Sequence, residues 1–192
     1  KIITNGELID QSRLIIDAGC GNGDSSRAIA GMHPGALVIG IDKSAARLGR
    51  GEHAGRSGDV ELVRAELADF WPLAVAAGWR AERQYLLYPN PWPKPGHLKR
   101  RWHAHPVFPA LLALGGCIEL RTNWAVYARE FARALAVVGA VDVQRRRVTA
   151  GMDGVSSPFE RKYAASGHAL WQVVAAVPAR LARHLTRELR AC

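Results

Sequence analysis

An open α/β fold, a mostly parallel seven-stranded sheet with helices on both faces, is what this sequence predicts, and three observations predict it. Short apolar runs alternate with helix-length stretches along the chain, the pattern of parallel strands joined by crossover helices. Those runs stop at acids, glycines or prolines rather than continuing. A glycine-dense turn stands between the first run and the first helix, where sheets of this kind present backbone N–H groups to ligands.

Leu14-Ile15-Ile16 is the first strand and runs into Asp17-Ala18-Gly19, with a helix over 23–32. Residues 37–41 form the second strand, ending at Asp42, and the polar Ala/Arg-rich stretch 43–56 reads as a helix. Residues 60–63 are a third strand, 67–78 a helix and 85–88 a fourth strand. Proline continues neither element, so Pro89-Asn90-Pro91-Trp92-Pro93 ends that strand. A helix is expected over 106–114 with Pro106 in its first turn, then a strand over 117–120 and a helix over 125–138. Residues 141–148 and 170–177 are the last strands, with one strand near the end antiparallel. The stretch 150–158 reads as an irregular loop, and 179–190 as the final helix. Nothing repeats, so residues 1–192 are expected to form one domain.

No apolar run approaches the ~20 residues of a membrane helix, and the start has no signal-peptide layout. The missing initiator Met predicts further residues upstream. Cys20, Cys117 and Cys192 share no CxxC spacing, which predicts reduced thiols in a cytoplasmic setting and no zinc cluster. His33, His53 and His168 are scattered, so no metal is expected. The formal charge of +9 directs attention to nucleic acid, which basic surfaces attract at long range.

In the turn Asp17-Ala18-Gly19-Cys20-Gly21-Asn22-Gly23, glycines let the backbone bend tightly and approach a ligand without a Cβ in the way. Asp42, at the end of the next strand, is placed to accept from ribose hydroxyls. A dinucleotide fingerprint beginning at Gly19 would want a small residue at position 24, where this chain has Asp24. GxGxG with an acid two residues ahead instead resembles the cofactor turn of class I methyltransferases. Glu66, past the third strand, matches the place where such enzymes hold an acid for the adenine amino group. The resemblance implies S-adenosylmethionine as cofactor, held by Asp17, Gly19, Gly21, Gly23, Asp42 and Glu66, with Asn90 also at its edge.

The loop beyond the fourth strand should line the site, since ligands bind past the carboxyl ends of strands. Its three prolines make it stiff, Trp92 offers a stacking face and Lys94 a phosphate contact. Pro89-Asn90-Pro91-Trp92-Pro93-Lys94, His97, Lys99-Arg100-Arg101, Thr122-Asn123, Ser157-Pro158-Phe159-Glu160, Gly167 and Trp171 follow one another in the order and spacing of a known family. Over residues 13–173 the chain resembles the bacterial tRNA (guanine-N7)-methyltransferases of the TrmB type, as a divergent member. The resemblance implies a Rossmann-like class I methyltransferase fold and formation of 7-methylguanosine in tRNA. It places Asn90 at the catalytic position and Lys94, Asn123, Ser157 and Glu160 around the substrate base.

The departures from the family are chemical. Asn90 and Asn123 stand where the family has aspartates, Ser157 where it has threonine, and Pro95-Gly96 replace a basic pair. The family's segment ahead of the first strand is nearly absent. Guanine N7 is an in-plane lone pair with no proton to lose, so its methylation depends on positioning and on stabilising charge moved onto the base. A carboxylate accepts from guanine N1–H and N2–H together, whereas asparagine offers one acceptor and two donors. Asn90-Pro91-Trp92 also partly matches the [DN]PP[FYW] motif of amino methyltransferases, one proline short, which keeps a second activity open. A cofactor-binding RNA protein with little activity is the third reading.

Lys99, Arg100 and Arg101 are candidates for RNA phosphates. So are Arg180, Arg183, Arg187 and Arg190, which helical spacing puts in one stripe beside Leu181, Leu185 and Leu189. The leucines are expected to pack on the body with the arginines outward. Arg145-Arg146-Arg147 is a second basic candidate. The expected assembly is a monomer or homodimer with tRNA as partner.

Overall fold

A computed structural model describes residues 2–4, 7–9, 13–50, 59–151 and 157–191, the first two segments by their backbone only. Nine strands and seven α-helices alternate among these residues: β1 Ile2–Thr4, β2 Glu7–Ile9, β3 Leu14–Ala18, α1 Asp24–Met32, β4 Leu37–Asp42, α2 Ala45–Leu48, β5 Val60–Arg64, α3 Leu67–Ala76, β6 Arg83–Leu87, α4 Phe108–Ala113, β7 Gly116–Thr122, α5 Ala125–Val137, β8 Val141–Val148, α6 Pro158–Ala165, β9 Leu170–Val177 and α7 Ala179–Ala191. The main sheet has seven strands in the order β5-β4-β3-β6-β7-β9-β8. All its neighbours pair in parallel except β9, which runs antiparallel to both β7 and β8. The mostly parallel seven-stranded α/β sheet expected from the sequence is therefore present.

Alternation along the strands sorts the core into two layers. Leu14 and Ile16 face a cluster with Leu37, Ile39, Trp71, Leu111 and Phe131, beneath α3, α4, α5 and α7. Ile15 points the other way, with Ile29, Val38, Tyr85, Leu87, Val148 and Leu170, towards α1 and α6. The chain leaves β3 for β4 and β5 on one side, then returns to β6 on the other. That reversal opens a crevice at the carboxyl ends of β3 and β6, where open α/β sheets bind ligands.

Several elements differ from expectation. The helix read over 43–56 is short: Ser44 caps α2 by accepting from Arg47 N at 3.3 Å, Gly49 closes it, and positions 51–56 lie outside the described residues. The helix read over 106–114 starts at Phe108, so Pro106 precedes it and Pro109 occupies its first turn. Two 3-10 turns, Pro95–Arg100 and Trp102–Ala104, carry the chain there. Helix α6 begins at Pro158, inside the stretch read as loop. Proline at a first helical position loses no helical hydrogen bond. The antiparallel pair β1–β2 has too few residues to leave a periodic signal. On α7 the deepest residues are Ala182 and Thr186, with Leu181 and Leu185 half-buried, because the helix packs closely on α4; Leu189 is exposed rather than packed.

Candidate active site

The glycine turn follows β3 directly. Gly19, Gly21 and Gly23 all have positive φ, +87°, +64° and +84°, a region costly for residues with a Cβ. Above Gly19 and Gly21 a Cβ would meet nothing within 4 Å, so the turn presents bare backbone to open space. Asp42, at the end of β4, ties the turn down: its Oδ2 accepts from Gly21 N at 3.0 Å and its Oδ1 from Ser44 N at 2.8 Å. Glu66 stands alongside. Ala65 N donates to Asp42 O, and Lys43 bridges to the Glu66 carboxylate at 3.3 Å.

Asp17 is fully buried under the turn. Its Oδ2 accepts from the hydroxyls of Ser25 (2.6 Å) and Ser26 (2.7 Å), binding the end of β3 to the start of α1. Its Oδ1 has no protein partner. Burial pushes the carboxyl up from its ordinary 3.8 to about 6, against the two serine hydroxyls, which lower it, and with the Asp42 charge raising it further. Between pH 4 and 6 the unfolded chain gives up this proton while the folded one keeps it. The group's contribution to stability therefore falls as pH rises through that window and is level above it, by an amount on the order of 1–3 kcal/mol. Asp17→Asn is expected to flatten the pH dependence of urea unfolding between pH 4 and 6; an unchanged slope contradicts this reading. Burial, with Asp17 and Asp42 nearby, pushes the Cys20 thiol up to about 12, so it stays protonated at neutral pH and is no nucleophile.

Across the crevice lies a buried ionic network. Arg121, on the interior strand β7 and 1% exposed, donates to Glu119 Oε1 and to Glu160 Oε2, both at 2.9 Å. The Tyr88 hydroxyl donates to the same Oε2 at 3.0 Å, leaving Glu160 Oε1 buried with no partner in the protein. Ser157 caps α6 by accepting from Glu160 N at 3.1 Å, which fixes where that glutamate enters. Although burial opposes its charge, the two glutamates hold the Arg121 guanidinium above its ordinary value. Burial, with the Glu160 charge and hydrogen bond, pushes the Tyr88 phenol up, so it serves as a donor.

Tyr88 has left-handed backbone (φ 52°) and turns the chain out of β6 into the proline-tryptophan loop. There Asn90 is exposed and its Oδ1 accepts from Trp92 N at 3.3 Å. Lys94 is exposed ahead of the first 3-10 turn. Asn123, just past β7, places Nδ2 2.9 Å from His168 Nδ1, and His168 stacks on Tyr163. The turn, Asp42, Glu66, Asn90, Lys94, Asn123, Ser157 and Glu160 thus border one end of the sheet.

The basic candidates divide. Lys99 and Arg100 are exposed, with Arg100 stacked over the Trp92 ring at 4.7 Å. Arg101 is a correction: it is 8% exposed, donates twice to Trp92 O and pairs with Glu130, so it anchors the loop rather than meeting phosphate. Arg180, Arg183, Arg187 and Arg190 are exposed as expected. However, Val177 pairs with Gly116 at the start of β7, so α7 sets out from the opposite edge and does not join the site.

The sequence reading passed over Tyr88, Arg121, Ser25, Ser26 and His168. A signal existed for Arg121: Glu119 and Arg121 stand two apart, on one face of a strand buried along most of its length, a pattern that demands internal pairing. Among the described residues no group of three or more His, Cys, Asp or Glu could hold a metal, and no helix is long and apolar enough to cross a membrane.

Residues 11–173 match the model of a family described as "Putative methyltransferase". A tRNA (guanine-N(7)-)-methyltransferase of Leifsonia xyli subsp. xyli is 32% identical over 134 residues, 67% of this chain and 57% of its own length. One from Xylella fastidiosa (strain M12) is 31% identical over 176 residues, 83% of this chain and 69% of its own length. Against the first of these, the chain spans little more than half of the relative. Among solved structures, the 16S rRNA methyltransferase KamB superposes with a TM-score of 0.62 at 15% identity, covering 87% of this chain and 89% of that one, a likeness of fold.

Proposed function

This chain belongs to the methyltransferase family whose model spans residues 11–173, and on that premise we propose that it methylates guanine N7 in tRNA with S-adenosylmethionine. The observation that carries the cofactor reading is the bare glycine turn over open space, pinned to Asp42 and floored by Asp17 with its unpartnered Oδ1. Those features fit the group: Gly19 and Gly21 offer backbone without a Cβ, Asp42 and Glu66 offer carboxylates for hydroxyl and amino donors, and Asp17 offers negative charge beneath. Bound there, S-adenosylmethionine supplies a methyl on a cationic sulfur.

The chain's own residues supply position and charge. Glu160 is held by Arg121 and Tyr88 through one oxygen, which fixes a carboxylate charge at the far side of the crevice. Asn123 and Asn90 flank the base from the ends of β7 and β6. No group has to remove a proton from N7, so catalysis is alignment of a lone pair with the methyl carbon, aided by carboxylate charge near the base as it becomes cationic.

Asn90→Asp tests the positional reading. Restoring a carboxylate acceptor at the strand end is expected to raise the rate of 7-methylguanosine formation by roughly ten- to a hundredfold, the scale of one mispaired polar contact. The measurement is transfer of radiolabelled methyl to bulk tRNA followed by nucleoside analysis. A variant slower than the parent removes Asn90 from the catalytic position.

A further inference from the structure

Two arginines beside the site remain unexplained by it. Arg145 and Arg147, on the edge strand β8, both stand over the Trp171 ring of β9, at 4.9 and 5.4 Å from its centroid. Alternation puts both on one face of the strand, and register puts Arg147 directly opposite Trp171, whose other neighbour is Thr122. Asn123 is the next residue. Arg147, Trp171, Thr122 and Asn123 thus form a row along the site edge of the sheet.

Both arginines are exposed, and no carboxylate of the described residues pairs with either. Stacking on an indole orients a guanidinium without using its five N–H donors. Two like charges gathered at one ring repel each other, and an anion brought between or across them relieves that cost. Among the described residues the buried arginines, Arg121 and Arg101, are held by carboxylates or carbonyls. Arg145 and Arg147 are instead oriented by the Trp171 ring, with no carboxylate among the described residues beside them.

We infer that the Arg145–Trp171–Arg147 stack is a docking site for the phosphate backbone of tRNA next to the methylated nucleotide. The inference rests on the tRNA reading above and assigns these residues a part in it. Arginine forks match phosphate oxygens in pairs, and a stack that holds their planes lowers the ordering cost of that match. Such contacts carry position rather than sequence information. Adjacent to Asn123, they would set the register in which a guanine enters the crevice.

The test is binding of a labelled tRNA transcript to the full chain across a series of salt concentrations, with the double variant Arg145→Gln/Arg147→Gln and, separately, Trp171→Phe. Each lost phosphate contact removes about 0.7 to 0.9 from the slope of log affinity against log salt. The double variant is expected to bind about ten- to a hundredfold more weakly at low salt, with a slope smaller by about 1.4 to 1.8, and to bind S-adenosylmethionine as the parent does. Trp171→Phe keeps an aromatic face and is expected to lose less than the double variant. A parent that binds tRNA alongside a double variant of equal affinity and slope overturns this site and leaves the tRNA reading standing. A parent that binds no tRNA overturns both.

Discussion

Asp42→Ala is expected to weaken S-adenosylmethionine binding by ten- to a hundredfold or more while the protein stays folded. In the parent this carboxylate accepts from Gly21 N and Ser44 N and is 4% exposed, so it is a fixed fitting rather than a mobile side chain. Removing it takes away the acceptor proposed for the ribose hydroxyls and releases the middle of the glycine turn. Each lost or unsatisfied polar contact of this kind costs about 1–3 kcal/mol, and every 1.4 kcal/mol is tenfold in affinity. Asp42→Asn keeps one acceptor and no charge, and is expected to fall between the two. Calorimetric titration with the cofactor reads the effect directly; an Asp42→Ala protein that binds as tightly as the parent would remove the turn from the cofactor site.

Arg121→Met is expected to be the most destabilising single change at the site, by about 3–5 kcal/mol, because it strands the buried Glu160 carboxylate and leaves Glu119 with Arg83 and Gln172 as its remaining partners. Glu119 and Glu160 are 4% and 1% exposed, and Arg121 is their shared cation. The attraction of such a pair does little more than offset its own desolvation, but losing one partner leaves the full penalty of the other. Urea denaturation measures the loss. Adding Glu160→Gln to Arg121→Met should recover part of it, since one stranded charge is then neutral, and this coupling separates the ionic explanation from lost packing. A loss below about 1 kcal/mol for Arg121→Met would show that the network is not the buried ionic unit its geometry indicates.

How far the sequence carried the reading depended on the physics behind each feature. The parallel sheet was legible because apolar runs such as residues 14–16 and 37–41 are buried on both faces and end at abrupt punctuation. The glycine turn was legible because glycine spacing is local, and the structure gives Gly19, Gly21 and Gly23 positive φ. Helix α6 was hidden because Pro158 is read as a breaker until its place at a helix start is known. Arg101 read as one of a basic run of three, and only its distance in space to Glu130 and Trp92 O distinguishes it from Arg100. The Tyr88–Arg121–Glu160 contact joins residues 39 and 72 apart in sequence, and no local pattern reports such a pairing. The direction of α7, away from the site edge, follows from the antiparallel insertion of β9 and is likewise invisible to periodicity.

The measurement that tests the central claim most directly compares two tRNA transcripts as methyl acceptors, one ordinary and one made with 7-deazaguanine throughout. The second keeps the Watson–Crick edge of every guanine and lacks only the nitrogen at position 7. Incubation with radiolabelled S-adenosylmethionine is expected to label the ordinary transcript, yielding 7-methylguanosine on digestion, and to leave the 7-deaza transcript unlabelled. Equal labelling of both transcripts would place the methyl on another atom and contradict the assignment.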